Sequence, residues 1–241
     1  ENITLAGIDF DAGGASLLDV NLDGVGDGGA KTLDIDGDVS VVSLTVDGQN
    51  ADDIIDLGAN VDLTVSTSAV DLDNNIASLN LSGAGTNKIT ATANDLTLPA
   101  LTDSATITEL ELVGESITLA AVTLNNDTSN LLDINLDGAV DGGAKTLTAA
   151  GAISVGQLTV DGQNSDDAVN FGSTVTTTGS SIAIATADTV DFDGDVLAAN
   201  GLTISTVATD IDLGANVNLT STAGNLAANT GVTAINLSGA G

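Results

Sequence analysis

Leu18-Asp19-Val20-Asn21-Leu22-Asp23-Gly24 alternates aliphatic residues with carboxylates and an amide, then breaks into Val25-Gly26-Asp27-Gly28-Gly29-Ala30-Lys31-Thr32-Leu33. The pattern returns as Leu132-Asp133-Ile134-Asn135-Leu136-Asp137-Gly138, then Asp141-Gly142-Gly143-Ala144-Lys145-Thr146-Leu147, each residue 114 positions later. Alternation with period two marks a half-buried strand, with Leu18, Val20 and Leu22 inward and Asp19, Asn21 and Asp23 outward. The same letters also spell D-x-N-x-D-G, the first half of a Ca²⁺ loop, which sets hard oxygen ligands at alternate positions before a glycine. Where an EF-hand places its bidentate Glu, the copies have Ala30 and Ala144, and no helical pattern flanks them. We read both features together, as a strand with an acidic face leading into a Gly-Asp turn. Asp19, Asn21, Asp23 and Asp27, and in the second copy Asp133, Asn135, Asp137 and Asp141, then bind Ca²⁺ with oxygens completed by a neighbouring coil or chain. A metal-free strand is the alternative.

The repeat extends well beyond this stretch. Glu1-Asn2-Ile3-Thr4-Leu5-Ala6 matches Glu115-Ser116-Ile117-Thr118-Leu119-Ala120, and Leu44-Thr45-Val46-Asp47-Gly48-Gln49-Asn50 matches Leu158-Thr159-Val160-Asp161-Gly162-Gln163-Asn164, both at an offset of 114. Further on the offset becomes 156: Asp56-Leu57-Gly58-Ala59-Asn60-Val61 returns as Asp212-Leu213-Gly214-Ala215-Asn216-Val217. The organisation is therefore repeat 1 over 1–114 and repeat 2 over 115–241. The second has gained 42 residues near 171–212 and reads as incomplete at its end. An insertion that leaves both flanks recognisable fits a stacked solenoid, which takes up whole coils, better than a closed sandwich.

Composition narrows the function. The chain has 34 acids against three cations, all Lys, for a net charge of −31. Without Arg or a basic cluster, phosphate recognition, nucleic-acid binding and attachment to anionic membranes are disfavoured. Self-repulsion of this size calls for bound Ca²⁺ or ambient salt, and both point outside the cytoplasm. There is no Cys, hence no disulfide framework. No signal-peptide pattern and no apolar run long enough to span a bilayer is read. Aromatics are limited to Phe10, Phe171 and Phe192, so the core is built from Val, Ile, Leu and Ala, which suits thin, regular layers.

Short alternating runs recur about every ten residues, among them Ile3–Phe10, Leu18–Asp23, Val39–Val46, Ile117–Leu124 and Val155–Val160, with Gly, Asn and Asp between them. The fold class is all-β. The leading architecture is a parallel β-solenoid (β-helix) of short aliphatic strands, with tandem Ig-like β-sandwiches as the alternative. Runs such as Asp195-Val196-Leu197-Ala198-Ala199-Asn200-Gly201-Leu202-Thr203-Ile204 and Gly151-Ala152-Ile153-Ser154-Val155-Gly156-Gln157-Leu158-Thr159-Val160 resemble the repeats of filamentous-haemagglutinin-like and autotransporter-like bacterial surface proteins. That resemblance, carried by texture over most of the chain, implies a long extracellular β-helix serving as an adhesin or fibre.

Secondary acidic clusters share the Ca²⁺ logic, with a solvated turn as their plain alternative. They are Asp34, Asp36 and Asp38; Asp47, Asp52 and Asp53; Asp161, Asp166 and Asp167; Asp191, Asp193 and Asp195; and, weaker still, the run Asp71-Leu72-Asp73-Asn74-Asn75. Catalysis has little to work with. The absence of His and Cys removes the usual nucleophile–base pairs, and Gly24-Val25-Gly26-Asp27-Gly28-Gly29 carries an acid where a phosphate would sit. The expectation is a non-enzymatic extracellular structural protein, part of a surface fibre or large adhesin stiffened by Ca²⁺. Its partners are neighbouring repeats or identical subunits, with a glycan or host-surface ligand also open. One alternative is a homopolymeric filament assembled by β-strand addition through Glu1–Phe10. A carbohydrate-active β-helix enzyme is the remote alternative.

Overall fold

Alternating aliphatic residues punctuated by Gly, Asn and Asp give short strands and tight corners, and the chain is built of little else. The computed structural model describes residues 2–10, 16–22, 29–48, 50–124, 128–136, 143–205, 210–228 and 234–237. Among them are thirty short strands and no helix. Every sheet is parallel and is assembled from every third strand in chain order. The chain is a three-faced parallel β-solenoid of about eight turns, preceded by two coils whose third side is the separate pair Leu17–Asn21 and Ser43–Asp47. The first and second faces are sheets of ten strands and the third is a sheet of eight. Nine steps of about 4.8 Å make a rod about 43 Å long. Ig-like sandwiches are antiparallel, so the tandem-sandwich alternative is excluded.

Registered residues on the first face run Ile3, Leu33, Ile55, Leu79, Leu101, Val122, Ile153, Val175, Val196 and Leu219. Most coils therefore take 21 to 24 residues. The two exceptions, of 30 and 31, are the coils that contain the two Asp-Gly stretches. The inward members of this column, such as Leu33, Ile55, Leu79 and Leu101, are at most 1% exposed. Each buried aliphatic side chain of this size contributes about 1.5–3 kcal/mol, and residues of similar bulk keep successive coils equal in girth. Phe171 and Phe192, in register on the third face, stack with ring centroids 5.3 Å apart.

Several runs that read as single strands are two strands around a corner. Ile3–Phe10 divides into Ile3–Leu5 and Ile8–Asp9, Val39–Val46 into Val39–Val41 and Ser43–Asp47, and Ile117–Leu124 into Ile117–Leu119 and Val122–Thr123. The N-terminal segment thus forms the first coil of its own chain, paired with Thr32–Ile35 and Val39–Val41. Corners are tight. A Cβ on Gly37 would come within 2.8 Å of Ala6 O, and one on Gly194 would run into the Ser173 backbone. Only glycine lets adjacent coils approach this closely.

The 114-residue repeat is not a whole number of coils. Ser43–Asp47 lies on the third side while its counterpart Gln157–Asp161 lies on the second face, and Thr32–Ile35 lies on the first face while Thr146–Ala149 lies on the third. The repeat spans fourteen strands, so the copies are related by a shift of one face. The 42 extra residues, by contrast, amount to six strands, or two coils: Phe171, Phe192 and Leu213 stack in register at steps of 21. Removing residues 172–213 therefore joins Phe171 to Gly214 and recreates the Leu57-Gly58-Ala59-Asn60-Val61 context of the first copy. This shortened chain is expected to keep its β circular-dichroism signal and a cooperative thermal transition. Removing residues 172–198, which takes out four strands, puts the next strand on the wrong face and is expected to abolish the transition.

Candidate functional site

In a parallel solenoid, a residue on an outer face sits directly beside its counterpart one coil away. Acids spaced by one coil therefore stack into columns. On the first face Asp34 adjoins Asp56, which adjoins Asn80. On the second, Asp62, Lys88, Glu111 and Asp133 stand in sequence. On the third, Asn170, Asp191 and Asp212 do the same.

Each predicted Ca²⁺ ligand among the described residues has a place in this lattice. Asp19 and Asn21 are exposed on the outer side of Leu17–Asn21, beside Thr45 and Asp47. Asp133 and Asn135 lie half-buried on the second face, between Glu111 and Val113 on one side and Thr159 and Asp161 on the other. Asp23, Asp27, Asp137 and Asp141 lie outside the described residues. Among the described residues, no group of three or more acids converges as a metal centre. The two copies of the motif occupy different faces and are not brought together.

The secondary clusters divide by role. Asp53 and Asp167 are fully buried, and each takes a backbone N–H from the preceding coil: Lys31 N–H to Asp53 Oδ1 and Lys145 N–H to Asp167 Oδ1, both 2.7 Å. Asp38 Oδ1 accepts Asp62 N–H at 3.0 Å, and Asp195 Oδ1 accepts Asn218 N–H at 2.8 Å. Asn87 and Asn130, both buried, do the same for Val61 and Gly156. These side chains bracket one coil to the next at corners where the peptide ladder is interrupted. Asp161 Oδ1 holds the adjacent turn through Gln163 N–H at 2.9 Å. Asp34 and Asp191 stand in the acidic columns, Asp47 ends its strand beside Asn21, and Asp36, Asp52, Asp166 and Asp193 are exposed at corners. Glu111, Asp56 and Asp212 complete the columns, and Glu109 stands two residues from Glu111 on the second face, in register with Thr86 and Leu131. They escape sequence reasoning because the coil spacing of 21 to 24 residues, the one signal that links them, is hidden beneath the longer repeat.

The columns hold their charge against repulsion. Burial first, then Asp36 and Asp56, pushes the Asp34 carboxyl above the ordinary Asp range. Burial followed by Asp193 and Asp212 raises Asp191. Asp133 is raised by burial and by Glu111, and Glu109 by burial and by Asp133, with Lys88 opposing in both cases. Two of the three cations are placed against this repulsion, with Lys88 Nζ 2.9 Å from Glu111 Oε1 and Lys145 Nζ 3.2 Å from Glu115 Oε2. The third, Lys31, donates from Nζ to Gly29 O at 2.7 Å. The chemistry available is that of a regular acidic surface able to gather cations. No known protein family matches the chain, and searches of curated proteins and of solved structures find no match.

Acid titration and one substitution test this lattice. A carboxyl raised above its unfolded value binds its proton more tightly in the folded chain, so its penalty is present above the folded pKa and gone below the unfolded one. At low ionic strength, the melting temperature is expected to rise as the pH falls from neutral toward the ordinary carboxylate range, and about 0.5 M NaCl should narrow that gap. Asp167→Ala strands the Lys145 N–H and should cost about 2–3 kcal/mol in urea unfolding, whereas Asp166→Ala at the exposed neighbour should cost less than about 0.5 kcal/mol.

Proposed function

We propose that this chain is a structural segment of an extracellular surface fibre or large adhesin, a rod stiffened by Ca²⁺ at its acidic turns. The observation that carries the reading is the pair of long coils. All other coils take 21 to 24 residues, while these two take 30 and 31. In both repeats part of the extra length follows the D-x-N-x-D strand: Leu18 to Leu33 and Leu132 to Leu147 are 15 apart, where Leu44 to Ile55 and Leu158 to Val169 one coil on are 11 apart. Both stretches that follow the motif strand are rich in Asp and Gly, the composition hard-cation loops use. Asp19 and Asn21 lie on the strand Leu17–Asn21 that precedes one such stretch, and Asp133 and Asn135 on the strand Leu131–Asn135 that precedes the other. Bound Ca²⁺ would relieve repulsion with the adjoining acids, Asp47 in one case and Asp161 in the other.

The surrounding surface supports a mechanical role. It carries short acidic columns, and its few lysines already make contacts within the rod. Such a surface resists edge-to-edge aggregation.

Calorimetric titration of the metal-free chain with Ca²⁺ is expected to show binding, and excess EGTA at low ionic strength is expected to lower the melting temperature by several degrees. A chain carrying D23N, D27N, D137N and D141N should lose most of that response. An unchanged melting curve, with no Ca²⁺ found by elemental analysis, sinks the reading.

A further inference from the structure

Leu226 and Ile235 hold core positions yet face solvent. Their registered neighbours one coil back, Leu202 and Ile211, are each 3% exposed, whereas Leu226 is 49% and Ile235 59% exposed. Both are left uncovered among the described residues. With Ile204 and Leu219 they line an apolar hollow that opens at this end of the rod. Leu219–Ser221, Leu226–Ala228 and Ala234–Leu237 are also the outermost strands of the three large sheets, so each presents a free edge of peptide groups.

Free edges are ordinarily guarded by charge. Here the charge is missing, and the internal repeat shows that the fold does not require its absence. The first copy carries Asp62, Asp71 and Asp73; 156 positions on, the second has Asn218, Ala227 and Asn229. The flanking Leu-Gly-Ala-Asn-Val and Asn-Leu-Ser-Gly-Ala-Gly runs are kept. No Asp, Glu, Lys or Arg occurs in 213–241, whereas 1–30 holds Glu1, Asp9, Asp11, Asp19, Asp23 and Asp27.

The opposite end of the rod is complementary. Its first coil offers Ile3, Leu5, Ile8 and Leu18, partly buried and packed on the core. Carrying the first-face registers one step further lays Leu219 on Ile3 and Thr220 on Thr4. On the second face the same step lays Ala228 on Ile8, with Leu226 opposite the small Ala6. Ile235 falls on the third side, where Leu17–Asn21 supplies Leu18. Strands stacked this way stay parallel, as in every sheet of the rod. Thr220 meets Thr4 and Ala227 meets Gly7, so no acid faces an acid. Two first coils brought together would set the exposed Asp9 and Asp19 against like charges. A two-fold axis reverses strand direction, so two acid-free ends would have to pair antiparallel.

We propose that this acid-free end is a docking surface for the first coil of a second copy of the chain, so that rods stack head to tail into one longer solenoid. The contact is heterologous and leaves an open end on each side, so it propagates. It names a partner for the fibre of the proposed function but needs neither Ca²⁺ nor the Asp-Gly stretches. It also differs from strand addition, because Ile3–Leu5 and Ile8–Asp9 stay in their own coil.

Sedimentation of the full chain in EGTA over a range of concentrations is expected to show growth beyond a dimer. Restoring the three acids of the first copy, as N218D/A227D/N229D, is expected to weaken association about tenfold or more and to leave the β circular-dichroism signal and the thermal transition in place. The absence of Cys permits a directional check. A chain bearing T4C mixed with one bearing T220C should form disulfide-linked pairs, and T220C alone should not. Within one chain the two positions lie about 43 Å apart, so any link joins two copies. Because EGTA is present throughout, a failure of the Ca²⁺ reading leaves these results unchanged. A chain that stays monomeric, growth that stops at a dimer, linkage through T220C alone, or association unmoved by the three acids overturns the proposal.

Discussion

Parallel pairing between successive coils is the constraint on which the rest of the molecule depends. Each coil has to present its peptide groups to the next at about 4.8 Å, with the same face in the same place. Length can then vary in only two ways. Residues are added between strands, as in the coils of 30 and 31, or whole coils are added, as in the two coils that make up the 42-residue difference. On the third side, Ser43–Asp47 pairs with Leu17–Asn21 but not with Val70–Asp71 of the next coil. At that seam one residue is added by neither route: Thr67 to Asn74 is seven where Gly179 to Ala185 in the second copy is six, and pairing stops.

The same constraint governs the charge. Stacking converts identical outward positions into columns, so an acid repeated at coil spacing meets its own kind. Asp34 beside Asp56, and Asp191 beside Asp212, carry that cost as raised proton affinities. Elsewhere the columns are diluted: Asn80, Thr102, Thr123 and Ser154 continue the first-face column without charge. Lys88 stands between Asp62 and Glu111, where one cation adjoins two acids. Neutral polar columns and a few well-placed lysines allow a chain of this charge to stack.

The β class, the stacked architecture and the modular insertion were legible because they rest on period-two alternation and on offsets between long identical stretches. The coil length was not, since the 114-residue repeat spans fourteen strands and masks the shorter spacing. Corners were also hidden: Val42 alone separates Val39–Val41 from Ser43–Asp47, so no Gly or Pro announces the turn. The bracket role of Asp53 and Asp167 was hidden for another reason. An Asp in an Asp-Gly-Asn-rich turn looks like a solvated or metal-binding acid, and residue type cannot reveal that its carboxylate is buried against a backbone N–H one coil away. The candidate loops at 23–28 and 137–142 lie outside the described residues, so the Ca²⁺ reading there rests on spacing and chemistry.

The two brackets also identify the unit from which the rod is built. Lys31 with Asp53 sits at the start of first-face strands and Lys145 with Asp167 at the start of third-face strands, yet both bonds measure 2.7 Å. A bracket that works equally well on two faces depends on its own corner and not on the face it serves. The module is therefore smaller than a coil: one strand with one corner, about a third of a 21-residue turn. Modules of that size stack wherever their neighbours are in register. A repeat of fourteen of them therefore rotates by one face without penalty, whereas one surplus residue inside a module opens a seam.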